Sequence, residues 1–449
     1  MESQLLPVTL QSCSSALPAG PTPRAKIFLP NIDLTVVFMV DSIYFYSSGA
    51  ADAPKVLFRA LQEAMVEFYP FAGRLAVSEE TQRLEIDANS AGVPFVEAVS
   101  DLNIADLGDL TLPNALYRNL VFTATNVKVL SDWPLATVQV TKFLCGGFSF
   151  GLSVNHALAD GISIIDFMQH LTSKARGVEN FQLPELQFDR TMLAARPQPT
   201  PKIDFGDVYY KASEIPSTNS FSTMEDMVVS TNLASGNYVV TDLVSRAINI
   251  PASKVEYLKK LAMSDGTITR CSTFDVVATY VWKLRTAAMG MPLEHQATMF
   301  MAVDVSKKVT PPIPRGFVGN RAFPVAVRMK TEELLKKPLS HCLTVVREAL
   351  LRADDEFVRS WIDWSEIHRG IPRFNGGFYI SSWWKFPFYE MDFGWGKPIY
   401  MGPVLTQRVE FVLILPVSPS RPEGGVDVLL TINPQHMARF ETLVNFPIL

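Results

Sequence analysis

The chain has 449 residues, of which 48% are hydrophobic and 19% charged, and its net charge at pH 7 is −5. A single hydrophobic core rarely grows to this length, so we expect two domains. The mild negative charge argues against nucleic-acid binding, and no apolar run reaches the roughly 18 residues of a membrane span. Residues 1–4 lack the basic and apolar regions of a secretory signal.

The four cysteines are far apart in the sequence and form no metal-like or disulfide-dense spacing. They are Cys13, Cys145, Cys271 and Cys342. This usage predicts reduced thiols in a cytoplasmic protein.

The first third of the chain alternates predicted strands with one clear helix. Residues 1–30 carry five prolines and predict an extended arm with one short strand. Residues 34–46 are rich in β-branched and aromatic side chains, which predicts a strand. Residues 56–68 place apolar side chains at helical spacing, and Tyr69-Pro70 ends that helix. Further strands are predicted at 83–87 and 135–145.

Phe148–Asn155 predicts a strand with one buried face, because every second residue from Phe148 to Val154 is large and apolar. His156 falls in phase with that apolar set, so its imidazole should point into the protein. Asp160 and Gly161 then begin a helix that runs to about residue 174. A histidine in this position is more often a hydrogen-bonded core residue than a catalyst, and one His with one Asp is too few ligands for a metal.

The second half repeats the alternation after a Ser-, Thr- and Asn-rich stretch at 213–237, the best candidate linker. Predicted strands lie at 244–250, 298–305, 379–384, 409–415 and 426–432, and predicted helices at 252–263, 273–289, 332–354 and 434–444. We therefore predict an α/β lobe at 1–190, a crossover at 191–238 and a second α/β lobe at 239–449.

Gly147-Phe148-Ser149-Phe150-Gly151 matches the G-x-S-x-G elbow of serine hydrolases. That chemistry requires the serine at a sharp turn between a strand and a helix. Here the alternation continues through Ser149, whose side chain should leave the strand on the face opposite to His156. A serine hydrolase using Ser149 is therefore a remote alternative.

A second motif lies about 230 residues after His156, where Asp392-Phe393-Gly394-Trp395-Gly396 follows an aromatic stretch. Together with His156-Ala157-Leu158-Ala159-Asp160 it resembles the plant BAHD acyltransferases, which transfer acyl groups from CoA thioesters. Segments 69–75, 139–147 and 311–320 are also similar to that family. The resemblance implies two similar chloramphenicol-acetyltransferase-like lobes, joined by a crossover loop, with a solvent channel between them and His156 in mid-channel.

The resemblance implies that His156 is the general base for direct attack of an alcohol or amine on a thioester, in a ternary complex. It implies no metal and no cofactor apart from the CoA co-substrate. Asp160 is expected to turn away and pair with an arginine, for which Arg285 is our candidate. Asp392, Gly394 and Trp395 are expected to be structural.

Further sites follow from the same resemblance. Ser272, Thr273, Lys283 and Arg285 are similar to the family's CoA-binding region, although a helix cap with surface charges explains them equally well. The aromatic residues Trp383, Phe386 and Phe378 are candidates for an acceptor pocket. Ser306 stands where the family commonly has an arginine, and Lys283 also stands where arginine is usual.

Segments of the chain look most like hydroxycinnamoyl-CoA transferases, in particular those that acylate ω-hydroxy fatty acids or fatty alcohols with feruloyl or caffeoyl groups. Arg369 and Arg373 could instead hold an acidic acceptor such as shikimate or quinate. Polyamine acceptors and benzoyl- or acetyl-CoA donors are further alternatives. A non-catalytic binding protein is the third class, which the intact His156 disfavours. The family implies a monomer.

Overall fold

The computed structural model describes residues 6–110, 113–124, 129–214, 243–404 and 410–445. Its strands are β1 (Thr9–Ala16), β2 (Lys26–Phe28), β3 (Met39–Tyr46), β4 (Arg74–Val77), β5 (Leu84–Asp87), β6 (Val93–Ser100), β7 (Ala136–Phe143), β8 (Phe148–Asn155), β9 (Tyr209–Tyr210), β10 (Val244–Ile250), β11 (Gln296–Asp304), β12 (Ala322–Lys330), β13 (Ile371–Pro372), β14 (Phe378–Ser382), β15 (Tyr400–Pro403), β16 (Phe411–Pro416) and β17 (Val426–Ile432). Its helices are α1 (Asn31–Leu34), α2 (Ala53–Glu67), α3 (Gly161–Ala175), α4 (Ala252–Met263), α5 (Thr273–Ala288), α6 (Thr331–Lys336), α7 (Leu339–Arg352), α8 (Asp355–His368) and α9 (Pro434–Asn445).

The N-terminal lobe is built on a six-stranded sheet in the order β1-β6-β7-β8-β3-β15. Strands β6 and β7 are parallel and the other neighbours are antiparallel. Helices α2 and α3 contact each other and share one hydrophobic core with the sheet. Helix α2 forms as its apolar stripe predicts: Leu57, Leu61 and Ala64 are buried on one face.

The C-terminal lobe has its own six-stranded sheet, in the order β10-β17-β16-β14-β11-β12. Helices α4, α5, α7 and α9 pack together, and their apolar faces join this sheet in a second core. The predicted α/β class, with two similar lobes, is therefore confirmed. Among the described residues, no helix has both the length and the apolar character needed to cross a membrane.

The chain crosses between the lobes at a place that the sequence did not indicate. Strand β15, from the C-terminal half, pairs with β3 at the edge of the N-terminal sheet. Phe388, Met391 and Phe393 before it are buried in the N-terminal core. The structure thus departs from the predicted boundaries, because the segment around 388–404 belongs to the first lobe.

The crossover also differs from a free linker over its described part. Leu193, Phe205 and Tyr209 are buried with Trp361 and Trp364 of helix α8, and β9 pairs with β13. This part of the predicted linker is therefore attached to the C-terminal lobe. The most polar part of the predicted linker, within 215–242, lies outside the described residues.

Predicted elements agree best where the apolar pattern is long. Helix 252–263 and strand 426–432 have the predicted bounds at both ends. The predicted helix at 332–354 is two helices, because Pro338 interrupts it. Helix α8 was not predicted, and its N-cap Asp354 follows almost directly on α7. Strand β12, an edge strand that contains Pro324, was not predicted either.

Candidate active site

His156 follows the last residue of strand β8, every residue of which is buried. Leu152, Val154 and His156 line the same cleft, so the prediction that His156 shares the face of the apolar residues is confirmed. The side chain of His156 is half-buried, so the imidazole faces the cleft while the rest of the side chain lies within the protein.

The cleft beside His156 is mainly apolar and has an empty volume of about 520 Å³, open solvent included. Its walls come from β3, β8, the start of α3 and the loop after β14. Val40, Tyr44, Ile164, Phe388 and Met401 supply apolar surface. Among the lining residues that the structure describes, Asp160 is the one carboxylate and none is a lysine or arginine. Such a cleft favours a neutral, apolar group next to the imidazole.

The backbone of His156 is fixed on both sides. Its N–H donates to the carbonyl of Phe38 over 2.8 Å, and its carbonyl accepts from Nδ2 of Asn320, also over 2.8 Å. The imidazole packs against the Phe38 ring, with 5.6 Å between the ring centroids. Its Nδ1 is buried and makes no hydrogen bond to any residue that the structure describes. No carboxylate among these residues therefore orients the imidazole.

Asp160 holds the start of helix α3. Its Oδ1 accepts from the backbone N–H of Ser163 over 3.0 Å and from the Ser163 hydroxyl over 3.1 Å. Its Oδ2 accepts from the backbone N–H of Arg321 over 3.1 Å and lies 3.4 Å from Nε of that arginine. As the resemblance implies, Asp160 pairs with an arginine.

That arginine is Arg321, so the choice of Arg285 was wrong. Arg285 is buried in the C-terminal lobe, where it donates to the carbonyl of Gly376 over 2.6 Å and lies over the Phe378 ring at 4.9 Å. Burial lowers the pKa of Arg285 to about 10. The sequence could not choose between the two arginines, because Arg321 lies 161 positions from Asp160.

A third buried arginine, Arg190, was not predicted to contribute to the site. Arg190 donates to the carboxylate of Asp33 over 2.6 Å, and neither side chain is exposed to solvent. Burial raises the pKa of Asp33, although the charge of Arg190 opposes this effect. The same arginine binds the carbonyls of Ala157 and Leu158, directly after His156. Asn320 belongs to segment 311–320, which is similar to the family, but that similarity did not predict the contacts of Arg190.

The loop at 392–396 lies at the other end of β8. Asp392 Oδ1 accepts from the backbone N–H groups of Gly394 and Gly396, over 2.7 and 3.0 Å. Both glycines have positive φ values, 112° and 96°, which permit this tight turn. Trp395 packs edge-on against Phe148, with 5.4 Å between their centroids. These contacts of Asp392, Gly394 and Trp395 are all within the protein, and their structural role stays a prediction.

The structure contradicts part of the predicted CoA region. Lys283 is buried and donates to the carbonyls of Leu335 and Lys337, and Arg285 is buried as described above. Neither cation can therefore reach a phosphate in solvent. Ser272 caps helix α5 by accepting from the N–H of Asp275 over 3.0 Å, which agrees with the alternative reading of this residue. Contact of Ser272 and Thr273 with CoA stays a prediction.

Of the three aromatic residues predicted for an acceptor pocket, one lines the cleft. Trp383 lines the cleft, whereas Phe378 is buried in the C-terminal core. Phe386 packs against Gly161, where a Cβ would come within 2.5 Å of the ring. Phe388, two residues further on, is the aromatic residue that enters the cleft wall.

Two alternatives lose their structural support. Arg373 binds Glu214 over 2.6 Å and lies over the Tyr210 ring, and Arg369 is an exposed residue after helix α8. Neither arginine lines the cleft, so neither can hold an acidic acceptor beside His156. Ser149 is fully buried within β8, where it pairs with Phe45 and Thr141 rather than forming a nucleophile elbow.

Comparison with known proteins agrees with this architecture. Vinorine synthase has the same fold, with a TM-score of 0.71 and 21% identity over 96% of each chain. F. sporotrichioides TRI101, solved with coenzyme A and T-2, has a TM-score of 0.71 and 17% identity over 93% of this chain and 97% of its own. These similarities define the two-lobed fold.

Similarity in sequence then identifies the family. The model of the Transferase family matches residues 6–446. Omega-hydroxypalmitate O-feruloyl transferase of Arabidopsis thaliana is 31% identical over 94% of this chain and 90% of its own length. Shikimate O-hydroxycinnamoyltransferase of Nicotiana tabacum is 30% identical over 97% and 98%. The chain belongs to the Transferase family, the BAHD acyltransferases, and is a CoA-dependent acyltransferase.

Proposed function

We propose that this enzyme transfers a hydroxycinnamoyl group from its CoA thioester to an alcohol or amine, with His156 as the general base. The observation that carries the proposal is the half-buried imidazole of His156 at an apolar cleft. Three relatives, an O-feruloyl transferase, a caffeoyl-CoA acyltransferase and a shikimate O-hydroxycinnamoyltransferase, support the choice of acyl group.

The chemistry requires one base and no covalent acyl-enzyme. The imidazole takes the proton from the acceptor hydroxyl or amine as the acceptor oxygen or nitrogen attacks the thioester carbonyl. The tetrahedral intermediate then collapses, the carbon–sulfur bond breaks, and the imidazolium returns its proton to the departing CoA thiolate. Imidazole suits both steps because its ordinary pKa lies near neutral pH. The proposal uses no metal and no cofactor other than the CoA co-substrate.

The walls of the cleft favour an apolar acceptor, such as a long-chain alcohol or an ω-hydroxy fatty acid, over shikimate or quinate. Shikimate and quinate carry a carboxylate on the same small ring as the reacting hydroxyl, so this carboxylate would need a cation in the cleft, and none of the described lining residues supplies one. The carboxylate of an ω-hydroxy fatty acid is at the far end of its chain from the reacting hydroxyl. The fatty alcohol:caffeoyl-CoA acyltransferase of Arabidopsis thaliana, 31% identical over 95% of this chain, supports this assignment. We also propose that the enzyme is cytoplasmic, which its four free cysteines support. That it is a monomer is proposed from the family resemblance.

The test is a thiol-release assay on the purified enzyme. Feruloyl-, p-coumaroyl-, caffeoyl-, benzoyl- and acetyl-CoA are crossed with long-chain alcohols, ω-hydroxy acids, shikimate, quinate and polyamines. We expect acceptor-dependent release of CoA with a hydroxycinnamoyl donor and an apolar alcohol.

Two variants separate the mechanisms in this assay. His156→Ala should lower the rate of release about 10²- to 10⁴-fold, whereas Ser149→Ala should retain it, because Ser149 is on the face of β8 opposite to the cleft. Turnover in His156→Ala at the rate of the unaltered enzyme would refute the assignment of the base. A preference for shikimate or a polyamine would refute the proposed acceptor class and leave the base intact.

A further inference from the structure

Three consecutive carbonyls after strand β8 are bound by side chains from distant parts of the chain. The carbonyl of His156 accepts from Nδ2 of Asn320 over 2.8 Å. The carbonyls of Ala157 and Leu158 accept from Nη1 and Nη2 of Arg190, over 2.7 and 2.6 Å. Since a planar guanidinium presents its donors in a fixed fork, Arg190 determines the direction of two peptide groups at once.

Asp33 joins the two donors into one unit. Its Oδ2 accepts from Nη1 of Arg190 over 2.6 Å, and its Oδ1 accepts from Nδ2 of Asn320 over 2.8 Å. Both members of the ion pair are fully buried. Burying an ion pair is a poor way to stabilise a fold, because the cost of desolvation commonly cancels the attraction. Stabilisation of the fold therefore does not explain why this unit is buried, and another role is needed.

The imidazole of His156 needs such a support. In catalytic triads a carboxylate bonded to the second ring nitrogen keeps the base in its working orientation. Here Nδ1 of His156 has no hydrogen-bond partner in the described part of the chain, and Asp160 is engaged with Ser163 and Arg321. The orientation of the imidazole thus depends on its own backbone and on the ring of Phe38.

We propose that Asp33, Arg190 and Asn320 are positioning residues for the catalytic step, holding the backbone of His156 so that its imidazole reaches the acceptor in the cleft. This inference rests on the proposed role of His156 as the base. None of the three residues is among those that line the cleft, so they act through the backbone rather than on the substrate. A shift of about 1 Å in a catalytic group can lower the rate roughly 100-fold.

The test uses the full-length enzyme and three variants, each first checked by thermal unfolding. Asn320→Leu removes the donor to His156 while keeping the size of the side chain. Arg190→Lys keeps the charge but not the fork. Asp33→Leu with Arg190→Met removes both charges together, so that no unpaired charge stays buried. Asn249→Leu is the matched control, because Asn249 donates to Asp427, itself paired with Arg421, in the other lobe.

We expect Asn320→Leu and the paired variant to lower kcat about 10- to 100-fold, with KM for both substrates changed less than about twofold. Arg190→Lys should have an intermediate kcat, and Asn249→Leu should have the kcat of the unaltered enzyme. In a His156→Ala background, Asn320→Leu should lower the residual rate by less than about twofold, because no base is left to position.

The outcomes separate this inference from the proposed function. If His156→Ala keeps the rate of the unaltered enzyme, the assignment of the base fails. If His156→Ala loses rate as expected but a folded Asn320→Leu enzyme keeps its kcat, the positioning role alone is refuted. An equal loss of residual rate in the His156→Ala background would also refute it, since a general structural effect does not depend on His156. Asn320→Leu decides the matter even if the Arg190 variants do not fold.

Discussion

The two ends of strand β8 carry the two motifs of this enzyme, and they are built differently. At the Asn155 end, polar side chains bind the backbone and leave an imidazole facing a cleft. At the Phe148 end, aromatic rings pack against each other and Trp395 covers the strand. The ends are about 25 Å apart, since a strand rises roughly 3.3 Å per residue. In our proposal the first motif performs the chemistry, and the second closes the lobe.

The largest effect that tests this difference is at the cleft end. His156→Gln keeps a polar side chain of similar size but removes the base, and it should lower kcat about 10²- to 10⁴-fold. The midpoint of urea unfolding should not change, because the half-buried imidazole has no hydrogen bond at Nδ1 to lose. Thiol release and urea unfolding measure the two quantities. A variant that unfolds more readily in proportion to its loss of rate would contradict the comparison.

Removal of Trp395 should have the opposite result. Trp395→Ala takes away its contacts with Phe148 and Gly49 and should lower the free energy of unfolding by about 2–4 kcal/mol. Below its unfolding temperature the variant should keep kcat within about threefold. Thiol release and urea unfolding again measure the two quantities. If the folded variant loses as much kcat as His156→Gln, the two ends are coupled and the distinction is wrong.

Two glycine variants test how tightly Trp395 packs at the Phe148 end. Gly49 and Gly146 both have positive φ, 101° and 80°, so either alanine variant carries backbone strain. A Cβ on Gly49 would lie 2.5 Å from the Trp395 ring, whereas a Cβ on Gly146 meets open space. Gly49→Ala should therefore be less stable than Gly146→Ala by about 1–3 kcal/mol in urea unfolding. Equal stabilities would show that Trp395 can move aside.

The smallest effect concerns pH and a second histidine, His170 of helix α3. It is buried, 3.2 Å from a carboxylate oxygen of Glu67, and burial lowers its pKa from the ordinary 6.5 despite that neighbour. The unfolded chain then binds more protons below pH 6.5, so stability should decrease as the pH falls through that range. Burial acts to raise the pKa of Glu67, but pairing with His170 and Lys174 outweighs burial and lowers that pKa. The contribution of Glu67 to the stability of the fold is therefore lost only below pH 4.5.

His170→Gln is the matched variant for this effect. Urea unfolding at pH 7.5 and 5.5 should show a smaller loss of stability in the variant than in the unaltered enzyme. The same slope in both proteins would mean that His170 is protonated equally in the folded and unfolded states.

The sequence predicted those features of the fold that depend on local or periodic patterns of residues. The alternation in β8 placed His156 on the cleft side, and the helical stripe of α2 gave that helix nearly to its ends. Ser272 was recognised as a possible cap because its motif lies within four residues.

What could not be predicted depends on contacts between distant positions. Asp33 and Arg190 are 157 positions apart, and Asn320 and His156 are 164 apart. No local pattern marks such pairs. Phe386 was predicted to line the pocket, whereas Phe388 lines the cleft. The cause is similar, since the loop after Trp384 has no periodic pattern from which the direction of a side chain can be predicted. Lys283 and Arg285 were misplaced because charged residues are rarely buried.

Strand β15 has a consequence for how the chain is made. Its four residues, Tyr400–Pro403, form the outer strand beside β3, and Met391 and Phe393 fill the core behind it. During synthesis the first lobe cannot complete its sheet until residue 403 has left the ribosome, after most of the second lobe has emerged. Until then the edge of β3 stays open to pairing with other chains, and a fragment ending at residue 190 would keep that edge permanently.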